Sequence, residues 1–403
     1  MQECDGSDVT FCDNMAVRMI LQSDWLDALR ENDGHAWLSC KRLGQPSVQG
    51  ELKSMGLSND GSVYVTASEG FQVGEVTKRS IVLSCPRENC GAKFVAPTTV
   101  FQKIHSKTVS CLDVSSGGGL GVSCSTDGTM KVWEAGNGTV RRELQGHIGE
   151  VNTCRFFPSG MVVLSGGMDS QLKIWSAEDG SCPVTFRGHK GGVLDTAMIE
   201  RGRNVVSCSR DGTAKLWDCG SASCLGTYSD CGGPVNGCAV GVPDNSVTLG
   251  EPDETPSDRE VLTEGKLLLL ACEEGLLRAF GVQSRKPVFQ FAAFAALNCC
   301  CFLSSVRVVC GSQDGRIYEL DIRDTRQPVQ VVQLSESPVL SLVRFQSEFL
   351  ASLGDGTSFL PGMEETLPVQ LTGPDCDPTY RVAACGNHVY TACRDGVVRK
   401  YVL

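Results

Sequence analysis

Serine, histidine and aspartate together can carry out acyl transfer, and this chain presents that trio three times. His105, Ser123 and Asp127 are followed by His147, Ser165 and Asp169, then by His189, Ser207 and Asp211. Each aspartate is followed six residues later by a tryptophan, at Trp133, Trp175 and Trp217. A hydrolase needs one such set, placed beside an oxyanion hole. Repetition at a constant advance of 42 residues points to a structural duty. A carboxylate just beneath a surface needs the imidazole as donor, and a serine hydroxyl and an indole N–H complete the chain of hydrogen bonds. The chain also lacks a P-loop, an HExxH and a GxSxG string, so no catalytic residue, cofactor or metal site is expected.

The elements that must hold these residues are short strands. In one unit, Val151–Phe157 alternates as a strand, Pro158–Gly160 turns, and Met161–Ser165 and Gln171–Trp175 are further strands. A turn at Glu178–Gly180 leads to a fourth strand at Pro183–Arg187, and Asn137-Gly138 marks the same hairpin one unit earlier. A four-stranded unit repeating every 42 residues has the length of a propeller blade.

These strings resemble the WD-repeat family, in which such a His, Ser, Asp and Trp form a tetrad in each blade. Degenerate units continue to the end, with third-strand turns at Glu274, Asp314, Asp355 and Asp395 after those at 127, 169 and 211. The expected fold is an all-β, seven-bladed WD-repeat propeller over residues 94–403. Its last unit ends on a third strand, which would leave an open edge. Thr98–Lys103 lies 42 residues ahead of Val140–Gln145, a fourth strand, so residues near 95–104 are expected to complete the seventh blade and close the ring.

Residues 15–93 fall outside this phase and are expected to form a separate small α+β element. Ser23 would cap a helix over Asp24–Arg30. Ser62–Ala67 and Gly70–Val73 would form a hairpin, and Ile81–Ser84 a further strand. Residues 1–14 read as disordered, with Met15 as an alternative start. The stretch 241–265 is rich in Asp and Glu and should emerge as a disordered acidic loop between the first and second strands of its blade.

Composition narrows the partners. The 403 residues carry a net charge of −11, which disfavours nucleic acid and favours a neutral or basic partner. No secretory signal or apolar run long enough for a bilayer is seen, so the expectation is a cytoplasmic and nuclear protein, monomeric when free. The 22 cysteines are then read as reduced and packed as small apolar residues. Cys219, Cys224 and Cys231 lack a zinc spacing, and Cys299-Cys300-Cys301 is the place to look for a reactive thiol.

Beyond the tetrads, Leu21-Gln-Ser-Asp-Trp25, Ala36-Trp-Leu-Ser-Cys40, Ser125-Thr-Asp-Gly-Thr-Met-Lys131, Gly166-Gly-Met-Asp169 and Cys376-Asp-Pro378 resemble the family of proteasomal ATPase-associated factors. That resemblance, which runs from about Ile20 to Leu403, implies an assembly chaperone of the proteasome regulatory particle. Such a protein binds the C-terminal part of an AAA-type ATPase subunit and leaves before or as the mature proteasome forms. On the face that carries the loops flanking each tetrad, Glu150, Asn152, Asp195, Asn236, Glu273 and Glu274 are the expected acceptors for a partner, and Arg210 and Arg394 the donors. The rival readings are a generic WD-repeat scaffold or ubiquitin-ligase substrate adaptor, and a propeller enzyme with a ligand or metal in its central channel.

Overall fold

The computed structural model describes residues 17–42, 44–229, 231–362 and 366–403. The expectations for residues 1–14 and for Met15 therefore lie outside the described residues. Glycine-punctuated runs of alternating burial form antiparallel four-stranded sheets, each strand pairing with the next in sequence. The first strands of these sheets are Val109–Val114, Val151–Phe156, Val193–Ile199, Val235–Gly241, Leu297–Phe302, Val339–Phe345 and Thr379–Cys385. Each touches the next, and the last touches the first, so the sheets stand as blades around an axis.

The apolar core follows from this arrangement. A blade has two faces, and each packs against a neighbour, so the buried side chains separate into one cluster per blade interface. Between blades one and two, for example, Val122, Val132 and Leu144 meet Val151, Val163 and Trp175. Second strands such as Leu267–Cys272 are buried throughout because both faces are covered.

Nearly every first strand carries a register shift at its second residue, as between Val151 and Thr153 or Leu297 and Cys299. The bulge turns that residue toward the next blade. Asn152 Nδ2 donates to Val193 O at 2.7 Å, Asn236 Nδ2 to Leu297 O at 3.0 Å and Asn298 Nδ2 to Val339 O at 3.0 Å. Ser110 Oγ does the same to Val151 O at 2.9 Å. These are clasps between neighbouring blades.

The ring closes as expected. Thr99–Phe101 pairs antiparallel with Val398–Val402, Val398 opposite Phe101 and Lys400 opposite Thr99. Phe101 is buried with its ring 5.4 Å from that of Trp133 in blade one.

The N-terminal part departs from expectation in three ways. Its helix is a single turn, Trp25–Ala28, preceded by Asp24 at the N-cap with no side-chain capping bond, so Ser23 is not the cap. Val63–Ala67 and Gln72–Val76 do not form a hairpin. The former is the edge of a sheet with Arg18–Leu21, His35–Lys41 and Val48–Leu57, while the latter starts a second sheet with Ser80–Cys85 and Cys90–Val95. The boundary after residue 93 falls inside that last strand. It pairs in parallel with Val369–Leu371, so the second sheet prolongs blade six and covers its outer edge. A separate cluster around Trp25, Leu38, Leu52, Ile81 and Phe94 forms the core of this element.

The acidic stretch 241–265 does lie between a first and a second strand, Val235–Gly241 and Leu267–Cys272. Composition suggests a free loop, but it is seated on its neighbours. Asp244 N donates to Ser305 O at 3.1 Å and Ser284 Oγ to Leu249 O at 2.5 Å. Asn204 holds both Arg259 O, at 3.0 Å, and Val261 N, at 2.7 Å. Glu260, its side chain almost wholly buried, pairs with Arg285.

Candidate functional site

Each tetrad is built by a histidine in the turn entering the blade, preceded by glycine at Gly146 and Gly188 but by Ile104 in blade one, a serine on the second strand, an aspartate in the turn after it and a tryptophan on the third strand. In blade two, His147 Nδ1 lies 3.0 Å from both carboxylate oxygens of Asp169, and its Nε2 lies 2.7 Å from Ser165 Oγ. Trp175 Nε1 donates to the same oxygen at 2.8 Å. Blade three repeats this: His189 to Asp211 at 2.9 Å and to Ser207 at 2.8 Å, Trp217 to Ser207 at 2.8 Å. Asp211 Oδ2 also accepts the Lys190 N–H at 2.8 Å. The aspartate thus accepts from Nδ1–H, leaving Nε2 to accept the serine proton.

Blade one keeps two of these contacts and alters the third. His105 Nε2 meets Ser123 Oγ at 2.8 Å and Trp133 Nε1 donates to it at 3.0 Å. His105 Nδ1, however, faces Thr129 Oγ1 at 3.2 Å, and that hydroxyl donates to Asp127 at 2.6 Å. The expected direct histidine–aspartate bond is replaced by a threonine relay.

Electrostatics fit a structural duty. Burial, with Lys131 nearby, pushes His105 down to about 4. Burial also lowers His147 and His189, although Asp169 and Asp211 act against it. Burial alone would raise Asp211, but the Thr213 hydroxyl, the Lys190 N–H and His189 hold it at about 2. Ser123, Ser165 and Ser207 are fully buried, and their oxygens already hold the indole N–H and face the imidazole. A substrate has no route to these hydroxyls.

Blade four carries Glu274 at the aspartate position, while blades five to seven keep the aspartate and pair it with an arginine. Arg316 Nη1 meets Asp314 at 2.8 Å, and Arg399 Nη2 meets Asp395 at 2.5 Å. Asp355 of blade six is met at 2.7 Å by Arg18, which comes from the N-terminal sheet and also reaches Thr357. Trp25 Nε1 donates to Thr372 Oγ1 at 3.1 Å beside this joint. Arg316 and Arg399 could have been found from sequence, each standing close after a retained Asp-Gly. Arg18 carries no such signal, because its partner is 337 residues away.

The residues expected to meet a partner divide into two groups. Glu150, Arg210, Glu273, Glu274 and Arg394 are exposed, in the loops that precede first strands or follow second strands. Asp195 is corrected, and Asn152 and Asn236 are half-buried with their amide nitrogens already engaged. Asn152 and Asn236 spend their amides on the blade clasps, and Asn236 also donates to Glu273 at 2.7 Å. Asp195 is buried on the axis between Arg155 Nη2, at 3.1 Å, and Arg381 Nη2, at 3.5 Å. Their place beside the loops that flank the tetrads gave no sign that a bulge turns Asn152 and Asn236 toward the next blade or that Asp195 is buried between two arginines.

The thiols are packing groups. Burial raises Cys299 and Cys300 and pushes Cys301 up to about 12, so this run holds no activated thiolate. Cys111, Cys124 and Cys154 bring their sulfurs within 4.8 Å of one another between blades one and two. Burial raises Cys124 and Cys154, while hydrogen bonds from these two hold Cys111 below the usual thiol range.

Comparison with known proteins agrees with this geometry. A family profile described as "WD domain, G-beta repeat" matches residues 97–134, 138–176 and 180–218, the stretches that carry the three tetrads. A Gallus gallus protein named Proteasomal ATPase-associated factor 1 is 60% identical over 389 residues, 96% of this chain and 99% of its own length. The Homo sapiens protein of that name is 59% identical over the same shares of both chains. The chain belongs to the proteasomal ATPase-associated factor 1 family. A more distant relative, the Dictyostelium discoideum protein named Probable proteasomal ATPase-associated factor 1, is 35% identical over 94% of this chain and 95% of its own. The similarity to this family therefore spans the N-terminal sheets as well as the propeller. Among the described residues no helix is long and apolar enough to cross a membrane.

Proposed function

We propose that this chain is a non-catalytic chaperone that associates with the C-terminal part of a proteasomal AAA-type ATPase subunit and assists assembly of the regulatory particle. The observation that carries this reading is near full-length similarity to relatives named Proteasomal ATPase-associated factor 1. The chemistry of the loop face is compatible with it. Glu150, Glu273 and Glu274 offer exposed carboxylates to a basic surface, and the net charge of −11 would speed the encounter and make affinity fall with salt. Arg210 and Arg394 would take partner carboxylates. Nucleic acid and membranes are not part of this proposal, and the free protein is taken as a monomer acting in cytoplasm and nucleus.

The test is a pull-down of the full chain against each isolated ATPase subunit at low and high salt. Selective capture of one subunit, weakened by salt and by Glu150→Lys with Glu273→Lys, supports the reading. Capture of none, with ubiquitin-ligase components recovered instead, would put the substrate-adaptor function in its place.

A further inference from the structure

The first strands enclose a channel on the propeller axis. Toward the loops that follow those strands it widens into a cavity of about 560 Å³. Ala197, Ala239, Cys301 and Ala383 line this part, and their small side chains leave the space open. Phe157 and Phe302 supply apolar wall.

The charged groups that line the cavity are Arg155, Arg344, Arg381 and Asp113. Three cations and one carboxylate are an unusual balance in a chain of net charge −11. Asp113, whose Oδ2 accepts the Phe156 N–H at 2.7 Å, offsets part of this charge by its attraction for Arg155 and Arg381. Asp195 is a single carboxylate shared by Arg155 and Arg381. Arg155 Nε is buried with no hydrogen-bond partner. Arg344, exposed at the rim, donates Nε to Gln346 O at 3.1 Å, and no carboxylate among the described residues pairs with it. Guanidinium forks match planar carboxylates and phosphates, and apolar walls strengthen the field of buried charges.

We propose that this end of the channel binds a small oxyanion, a molecule bearing a carboxylate or phosphate group on a compact body, gripped by Arg155, Arg344 and Arg381. The site lies at the opposite ends of the first strands from Glu150 and its neighbours, and it does not rest on the ATPase association.

Calorimetric titration of the full chain with citrate in one arm and pyrophosphate in the other tests this. The expected result is one anion bound per chain in at least one arm, with affinity about tenfold lower in Arg344→Gln and binding lost in Ala239→Phe, whose ring occupies the space. Preference between the arms distinguishes a carboxylate from a phosphate ligand. No heat in either arm overturns the proposal, and so does binding that Arg344→Gln leaves unchanged. Circular dichroism reports whether Ala239→Phe folds; if it does not, Arg344→Gln decides alone, because its side chain is exposed and outside the ion pairs of the ring.

Discussion

A histidine kept neutral by burial makes stability depend on pH in a definite direction. His105 titrates near 4 in the folded chain, and His147 and His189 below 6.5, the value of the free imidazole. Between those values the unfolded chain binds more protons, so the contribution is complete above 6.5 and is lost as the pH falls toward 4. Urea midpoints should fall from pH 7 to pH 4.5, by on the order of 1–3 kcal/mol in unfolding free energy. A profile flat across that window would contradict the neutral tetrads. Asn152 gives a second prediction at this scale. As a clasp to Val193 O rather than a contact, its replacement by alanine should cost about 1 kcal/mol of stability while capture of the ATPase subunit stays as in the native chain. Reduced capture by a fully folded Asn152→Ala would return it to the partner surface.

Strands at the edges of sheets need a partner, and this chain finds two solutions. Thr99–Phe101 completes blade seven, and Cys90–Val95 covers blade six in parallel. The single segment 90–101 carries both strands, so one short stretch of chain ties the N-terminal core, blade six and blade seven together. Phe101 is its anchor, buried against Trp133 and close above Gly138. Phe101→Ala should cost about 3–5 kcal/mol in denaturant unfolding, because it opens the closing strand and the interface between blades seven and one together. A loss below about 1 kcal/mol, the size of one peripheral contact, would show that the ring holds without it.

Across the whole molecule, cysteine burial maps the ring. Cys182, Cys224 and Cys376 are exposed, whereas Cys124, Cys154, Cys208, Cys272 and Cys310 sit within the blades. Brief alkylation of the native protein, read by mass spectrometry, should mark the first three ahead of the other cysteines of the described residues. The buried set should label only when the ring unfolds, and with similar rates, since each interface supports its neighbours around a closed circle. Early labelling of Cys299 or Cys300 would mean that blade five opens by itself.

The sequence by itself determined the blade plan, because a 42-residue repeat of His, Ser, Asp and Trp is local information that every copy states again. It also showed how the ring closes, since the missing fourth strand and the spare one at Thr98–Lys103 stand in the same phase. Tertiary structure decided what repeats cannot encode. Arg18 supplies the cation for Asp355 across most of the chain, Asp195 is drawn onto the axis by two arginines from other blades, and Asn152 turns inward at a bulge. The acidic stretch 241–265 is held down by Asn204 and Arg285 despite a composition that favours solvent. Arg18 and Asp355 stand 337 residues apart with no repeat to link them, and where the spacing is close to one blade, as from Asn152 to Val193 or from Arg155 to Asp195, the repeat does not say which side chain crosses to the neighbour.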